Sequence, residues 1–137
     1  MMNRRSYAEE PRLFRAEVGG SFGPSFLVEW HVDELIYERV EGPEKTAWLK
    51  VQPNGARWRR FWDKCDKIDV WSWAPVYEPL SLVMDGSSWG LKIDCGRGTV
   101  LSEGSNAYPP DGGPDETEDF RALCRAISSL VGTPPFY

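Results

Sequence analysis

The residues with the widest chemical repertoire in this chain are one histidine, His31, and three cysteines, Cys65, Cys95 and Cys124. A histidine acts as a general base when a partner group lies within hydrogen-bond reach and its pKa is near the working pH. Glu29 lies two residues before His31 on the same face of a predicted strand, which indicates a solvated pair instead. The cysteines form no C-x-x-C pair, so neither a zinc site nor a disulfide framework is indicated. Each cysteine is in phase with apolar neighbours, which predicts core packing.

The established catalytic and nucleotide-binding motifs are absent from the sequence. No Walker, Rossmann, H-E-x-x-H, G-x-S-x-G or EF-hand pattern occurs. The glycines at 112–113 precede a predicted helix, as a phosphate loop would. However, the five carboxylates between Asp111 and Asp119 would repel a phosphate. The sequence therefore favours a protein that is not an enzyme, and it predicts no cofactor and no metal site.

Five residues remain as candidates for a partner- or ligand-binding site: Trp71, Trp73, Asp85, Asn106 and Tyr108. Tryptophan and tyrosine are favoured anchors at protein interfaces, and loops often carry function. The competing interpretation is structural, and we favour it for the aromatic and loop residues. Large aromatic side chains dominate cores, and the segment 104–109 can serve as a turn that leads into the last helix.

Period-two alternation and turn signals predict the strands that must position these residues. Eight short strands are expected, at 12–18, 26–32, 35–41, 46–51, 68–73, 80–84, 89–95 and 99–102. Trp71 and Trp73 would share one face of the fifth strand. Asp85 would follow the sixth in an Asp-Gly turn, and Asn106 and Tyr108 would lie in a loop over 103–113.

Two segments change to helical spacing. The first opens at Asn54, a suitable N-cap, and places apolar residues from Trp58 to Ile68 on one face. The second has capping-box spacing between Asp115 and Glu118, and its apolar face runs from Phe120 to Val131. Tight turns between strands imply mainly antiparallel pairing. We therefore predict an α+β fold in which two amphipathic helices pack on one face of the sheet.

The length of 137 residues favours one domain, placed at 12–132 between a flexible N-terminus at 1–11 and a C-terminal tail at 133–137. The paired prolines of that tail end the helix, and the tail either hangs free or docks through Phe136 and Tyr137. No apolar run is long enough for a membrane span, and no secretory signal is seen, which favours the cytoplasm. The net charge of −5 argues against nucleic acid as a partner, although a basic cluster follows Arg57.

The spacing of several motifs resembles that of small bacterial α+β proteins of unassigned function. These motifs are Trp58-x-x-Phe61-Trp62, Val70-Trp-Ser-Trp73, Asp85-Gly86-x-x-Trp89 (DG-x-x-W), Gly104-x-Asn106-x-Tyr108-Pro109 (G-x-N-x-YP) and the amphipathic helix that begins near Phe120. The resemblance covers residues 58–131. It implies a compact α+β fold and carries no activity across.

These observations favour a cytoplasmic protein-interaction module whose partner is another protein, with an immunity- or antitoxin-like role. A small acidic protein can cover a basic toxin surface through charge complementarity. Two alternatives stay open. One is a small-ligand-binding protein or enzyme, with a pocket formed by Trp71, Trp73 and Tyr108 and polar groups from Asp85 and Asn106. The other is a structural subunit, which would expose an apolar patch or an unpaired strand edge.

Overall fold

The computed structural model describes residues 9–20, 23–79, 86–132 and 134–137, without the side chains of residues 45 and 46. These residues form one sheet of seven strands and two α-helices. In chain order the elements are β1 (Leu13–Gly20), β2 (Ser25–His31), β3 (Glu34–Glu41), β4 (Glu44–Val51), α1 (Gly55–Ile68), β5 (Val76–Tyr77), β6 (Ser87–Cys95), β7 (Gly98–Ser105) and α2 (Glu118–Val131). The predicted α+β class is confirmed.

The strand order is β4-β3-β2-β1-β6-β7-β5, and every pair is antiparallel except β5 with β7. β1 therefore joins the four-strand meander of the first half to the β6–β7 hairpin of the second half. The two-residue strand β5 was not expected, because Pro75 and Pro79 border it. The predicted strand at 80–84 lies outside the described residues.

Only one face of the sheet is covered by the helices. Its side chains alternate with solvent-facing ones, and register pairs such as Phe14–Ile93 and Val28–Ala16 place them in continuous rows. From the sheet, this core includes Phe14, Ala16, Val18, Phe26, Val28, Leu35, Tyr37, Trp89, Leu91, Ile93, Cys95 and Val100. Trp58, Phe61 and Trp62 of α1 and Phe120, Leu123 and Ile127 of α2 close over these rows. The prediction that both helices pack on one face is therefore confirmed.

The two helices begin at side-chain caps. Asn54 accepts a hydrogen bond from the Arg57 backbone N–H at 2.8 Å, so the predicted N-cap of α1 is confirmed. At α2 the prediction was wrong, because the cap is Thr117 and not Asp115. The Thr117 hydroxyl accepts from the Phe120 N–H at 3.1 Å, which starts the helix two residues later than the capping-box spacing suggested. Gly132 is the C-cap of α2, as its position predicts.

The segment 68–73 is not a strand, and this is the main error of the predicted topology. α1 continues to Ile68, and Asp69 then adopts left-handed backbone geometry with a φ of 54°. A short 3-10 turn over Val70–Ser72 follows, and the Ser72 hydroxyl bonds to the Asp69 carbonyl. Because this turn replaces extended backbone, Trp71 and Trp73 do not share one strand face.

The last residues of the chain pack against the sheet. Phe136 is 4% exposed and its ring lies 6.0 Å from that of Phe26. The Tyr37 hydroxyl donates to the Pro135 carbonyl at 2.7 Å. The tail was expected either to hang free or to dock, and Phe136 is docked. Residues 1–8 lie outside the described residues, and the Glu9 carbonyl that follows them accepts from Trp62 Nε1 at 2.7 Å.

Candidate functional site

The structure places Trp73 in the core and Trp71 at the margin of the core. Trp73 is 6% exposed, and its ring meets that of Trp89 edge-on at 5.9 Å. Trp71 is half-buried, and its Nε1 donates to the Asp66 carboxylate at 2.8 Å. Its ring lies directly over Gly98, where an added Cβ would be 3.2 Å from it. The core-filling interpretation therefore describes Trp73, whereas Trp71 fixes the end of α1 against the β6–β7 hairpin.

Asn106 and Tyr108 tie the loop after β7 to the first residue of β6. Asn106 has a φ of 52°, and its side-chain oxygen accepts from the Ser87 N–H at 3.2 Å. The Asn106 N–H donates back to the Ser87 carbonyl at 2.9 Å. Tyr108 is 4% exposed, and its hydroxyl forms a hydrogen bond with Ser87 Oγ. Trp73 and Tyr108 thus offer almost no surface to a partner.

The DG-x-x-W and G-x-N-x-YP motifs contact each other through these bonds. Trp89, the last residue of the first motif, donates through Nε1 to the Ala107 carbonyl at 2.9 Å. Gly104 is the first residue of the second motif, and a Cβ added there would lie only 2.4 Å from Trp89 Nε1. Within the described residues, both motifs therefore have a structural function. Asp85 lies outside the described residues, so its predicted role stays a prediction.

The four described site candidates, Trp71, Trp73, Asn106 and Tyr108, do not line one common pocket. Trp71 contacts α1 and the β6–β7 hairpin, whereas Asn106 and Tyr108 lie at the start of β6 and before α2. Asn106 does border an open groove of about 570 Å³, which is lined mainly by serines, glycines and glutamates. None of Trp71, Trp73 and Tyr108 is among the described residues that line it.

The candidate nucleophiles and the histidine lie in settings that do not favour chemistry. All three cysteines are buried, which confirms the core prediction. Burial raises the pKa of the Cys124 thiol to about 12, and it also raises the pKa of the Cys65 thiol. Among the described residues, no group of three or more His, Cys, Asp or Glu side chains is arranged to hold a metal ion.

His31 forms the pair with Glu29 that the sequence predicted. His31 Nε2 lies 2.8 Å from a Glu29 carboxylate oxygen, and the histidine side chain is 53% exposed. Partial desolvation opposes ionisation of Glu29, but hydrogen bonds from His31 and Arg15 outweigh it and lower the pKa of Glu29. The pair belongs to the solvent side of the sheet.

Among the described elements, none packs on that solvent side of the sheet. Its rows combine apolar and charged side chains, and Leu101 on β7 and Trp48 on β4 are 63% and 50% exposed. Carboxylates outnumber cations among its described side chains. The acidic members are Glu17, Glu29, Glu34, Glu38, Asp94 and Glu103, and the basic members are Arg15, Lys50 and Lys92. Arg15 bonds to both Glu17 and Glu29, at 3.0 and 3.1 Å.

Three of these glutamates lie in a single row across five strands. Register pairs run from Glu38 to Leu27, from Leu27 to Glu17, from Glu17 to Gly90 and from Gly90 to Glu103. The Glu17 carboxylate lies over Gly90, where an added Cβ would be 3.2 Å from it. We call Glu17, Glu38 and Glu103 the acidic row. Glu17 and Glu38 also line the 570 Å³ groove, and Glu17 and Glu103 line a smaller pocket of about 170 Å³.

Sequence reasoning did not find the acidic row. Alternation placed Glu17 on the outer face of β1, but the row depends on β1 lying between β2 and β6. The pairing of β1 with β6 joins residues more than 70 positions apart, such as Glu17 and Gly90. Short-range periodicity does not show which distant strands pair.

The fold and the uncovered face together define an α+β protein with one solvent-facing sheet surface. A comparison with models of known protein families gives no match, and no curated protein matches the chain. Among the described residues, no helix has the length and apolar character needed to cross a membrane.

Proposed function

We propose that this chain is a protein-interaction module that binds a basic partner protein on the uncovered face of its sheet. The observation that carries the proposal is the acidic row, which places Glu17, Glu38 and Glu103 in one line across the face. Opposite charge steers association and selects partners, so a lysine- or arginine-rich surface is the complementary one. Exposed apolar neighbours such as Leu101 supply area that a docked partner would cover.

Within this class we propose an immunity- or antitoxin-like role in a bacterial cytoplasm, in which the acidic face covers the basic surface of a toxin. The net charge of −5 supports attraction to a basic protein over distance. Buried thiols and the solvent-exposed His31–Glu29 pair favour binding over catalysis. The role requires no cofactor.

Site-specific crosslinking tests the proposal. A photoreactive amino acid at Leu101, on the uncovered face, should yield a discrete adduct with a basic protein in cells of the source organism. The same amino acid at Val32, which is 94% exposed in the β2–β3 turn, should not. Adding Glu17→Lys and Glu103→Lys should abolish the adduct. Adding Glu78→Lys and Asp111→Lys makes the same change in charge on other exposed residues and should preserve it.

Equal crosslinking from Leu101 and Val32 would contradict the proposal, as would an adduct that survives reversal of the acidic row. An adduct with an acidic protein would also contradict it.

A structural subunit is the second candidate, because β4 forms an edge of the sheet and carries an exposed tryptophan. Trp48 is 50% exposed and Leu49 is 38% exposed, on a strand of eight residues. Unpaired edge strands are templates for pairing with another chain. Sedimentation distinguishes this candidate: a structural subunit would associate with itself or its neighbours through β4, and Trp48→Lys would reduce that association.

A further inference from the structure

A second groove lies on the opposite side of the molecule, between α1 and α2. Its volume is about 370 Å³. Arg57, Arg60 and Lys64 of α1 line it on one side and Arg125 of α2 lines it on the other, with Phe61 and Ala126 among the apolar residues between them. No carboxylate is among the described residues that line it. These four cations lie together although the net charge of the chain is −5.

The α1 cations in this groove lack the ion pairs that other arginines of the molecule make. Arg59 pairs with Glu9, and Arg97 pairs with two aspartates of α1. By contrast, no ion pair or hydrogen bond of the Arg60 or Lys64 side chain occurs with the described residues, and Arg57 reaches only the Leu130 carbonyl, at 3.4 Å. On the α2 side, Arg125 pairs with Glu118 at 2.5 Å. The charge on the α1 side of the groove is therefore the part that no carboxylate of the described fold neutralises.

We propose that this groove binds an acidic amphipathic helix of a partner protein. Arg57, Arg60 and Lys64 stand at positions i, i+3 and i+7, so they extend over roughly 10 Å of the α1 axis. Carboxylates with the same spacing on a facing helix would meet them. On α2, Ala122 and Ala126 are four residues apart and half-buried, so they leave room for apolar side chains of that helix to approach.

This interaction goes beyond the proposed function, because it uses the other side of the molecule and a partner of opposite charge. A nucleic acid is a poorer occupant, since the overall negative charge opposes a polyanion. A carboxylate-bearing helix needs only the few local charge contacts that this rim provides. The geometry points to a helix rather than to an extended strand, because the groove is formed by two packed helices and offers no strand edge.

The test uses the full chain and a synthetic peptide of about 16 residues, an ordinary helix length. It carries glutamate at i, i+3 and i+7 on one side and leucine on the adjacent side, with a fluorescent label for anisotropy. The wild-type protein should bind it saturably. Arg60→Glu with Lys64→Glu should weaken binding at least about tenfold, because charge reversal at close pairs is costly. Arg59→Glu with Lys67→Glu changes α1 by the same charge outside the groove and should preserve binding.

A second variant separates the groove from general electrostatics. Ala126→Glu places a bulky carboxylate at the base of the groove and should also abolish peptide binding, with circular dichroism confirming the fold. Absence of saturable binding would overturn the proposal, as would equal loss in both double variants or equal binding of a lysine-for-glutamate peptide. Tight binding to phosphatidylglycerol vesicles without binding to the peptide would overturn it in favour of a lipid surface.

Discussion

Gly104 lies at a close approach in the linkage between the two sequence motifs. An added Cβ would be 2.4 Å from Trp89 Nε1 and 2.5 Å from the Ala107 carbonyl oxygen. Both atoms take part in the same hydrogen bond, so neither can retreat without breaking it. This residue is therefore a glycine for reasons of space, and its role in the motif is structural.

We predict that Gly104→Ala destabilises the protein by about 2 kcal/mol or more, because overpacking here also breaks a buried hydrogen bond. Urea unfolding followed by tryptophan fluorescence measures the change. Gly113→Ala is the matched control, because nothing lies within 4 Å of its added Cβ, and it should change stability by no more than about 0.5 kcal/mol. Equal effects of the two substitutions would show that the motif contact is not tight.

Trp73 and Tyr108 show why substitution of a buried aromatic residue is a poor test of binding. Both side chains are less than a tenth exposed. Truncating a buried aromatic residue costs about 3–5 kcal/mol. Loss of partner affinity in Trp73→Ala or Tyr108→Ala would therefore follow from unfolding whether or not these residues contact a partner. Exposed charges such as Glu17 and Lys64 are the informative sites.

At the scale of the elements, Thr117 and Asp115 provide a direct test of which residue caps α2. Thr117→Ala should cost about 1 kcal/mol, the usual value for a lost N-cap, and it also removes the bond from the Thr117 hydroxyl to the Pro109 carbonyl. Asp115→Ala should change stability by less than about 0.5 kcal/mol, because Asp115 is exposed and does not cap the helix. Thermal unfolding followed by circular dichroism compares the two. A larger loss of stability in Asp115→Ala than in Thr117→Ala would show that Asp115 caps the helix, as the capping-box spacing predicts.

The end of α1 should respond to acid through Asp66. A hydrogen bond from Trp71 is the main cause that lowers the pKa of Asp66 below its ordinary value of 3.8, and Arg97 adds to it. A carboxylate whose pKa is lower in the folded state stabilises the fold above its unfolded pKa and loses that contribution as the pH falls through the folded value. We therefore expect Asp66→Asn to flatten the decline of stability below about pH 4, as measured by urea midpoints against pH.

Asp111→Asn is the control for this experiment, since Asp111 is exposed and has no ion pair with the described residues. It should keep the wild-type acid dependence. If Asp66→Asn showed the same dependence as the wild type, the contacts of Asp66 with Trp71 and Arg97 would not contribute to the acid response.

The elements that could be predicted are those whose sequence pattern is local. Alternation around Trp89, Leu91 and Ile93 and helical spacing from Trp58 to Ile68 are local, and both appear as predicted. The strand predicted at 68–73 was wrong because Asp69 adopts left-handed backbone geometry. The spacing of Trp71 and Trp73 is typical of a strand and gives no sign of that geometry. The acidic row required the β1–β6 pairing, which no short window contains.

For the whole molecule, the sheet separates the acidic row from the groove cations of α1. The acidic row lies on the uncovered face, and the unpaired cations of α1 lie in the groove on the helical side. A net charge of −5 distributed in this way does not make the whole surface acidic. The two proposed partners would therefore bind without competing, one on the sheet and one between the helices.

The fold of the whole chain also depends on its last residues, because they close the core beside β2 and β3. Phe136 packs against Phe26, and Pro135 accepts the hydrogen bond of Tyr37, which is 1% exposed. We predict that Phe136→Ala destabilises the protein by about 3 kcal/mol or more, since a cavity would form at the end of the sheet. Guanidinium unfolding measures this change.

Tyr137→Ala is the comparison, because that neighbouring aromatic residue is 46% exposed although its ring contacts Phe26 and Phe120, and it should cost less than Phe136→Ala. A loss that is small for both variants would mean that the C-terminal segment lies on a core already complete without it. A large loss for Phe136→Ala alone would make residues 134–137 part of the domain. The domain boundary would then extend beyond residue 132, because Phe136 belongs to the core although the helix has already ended.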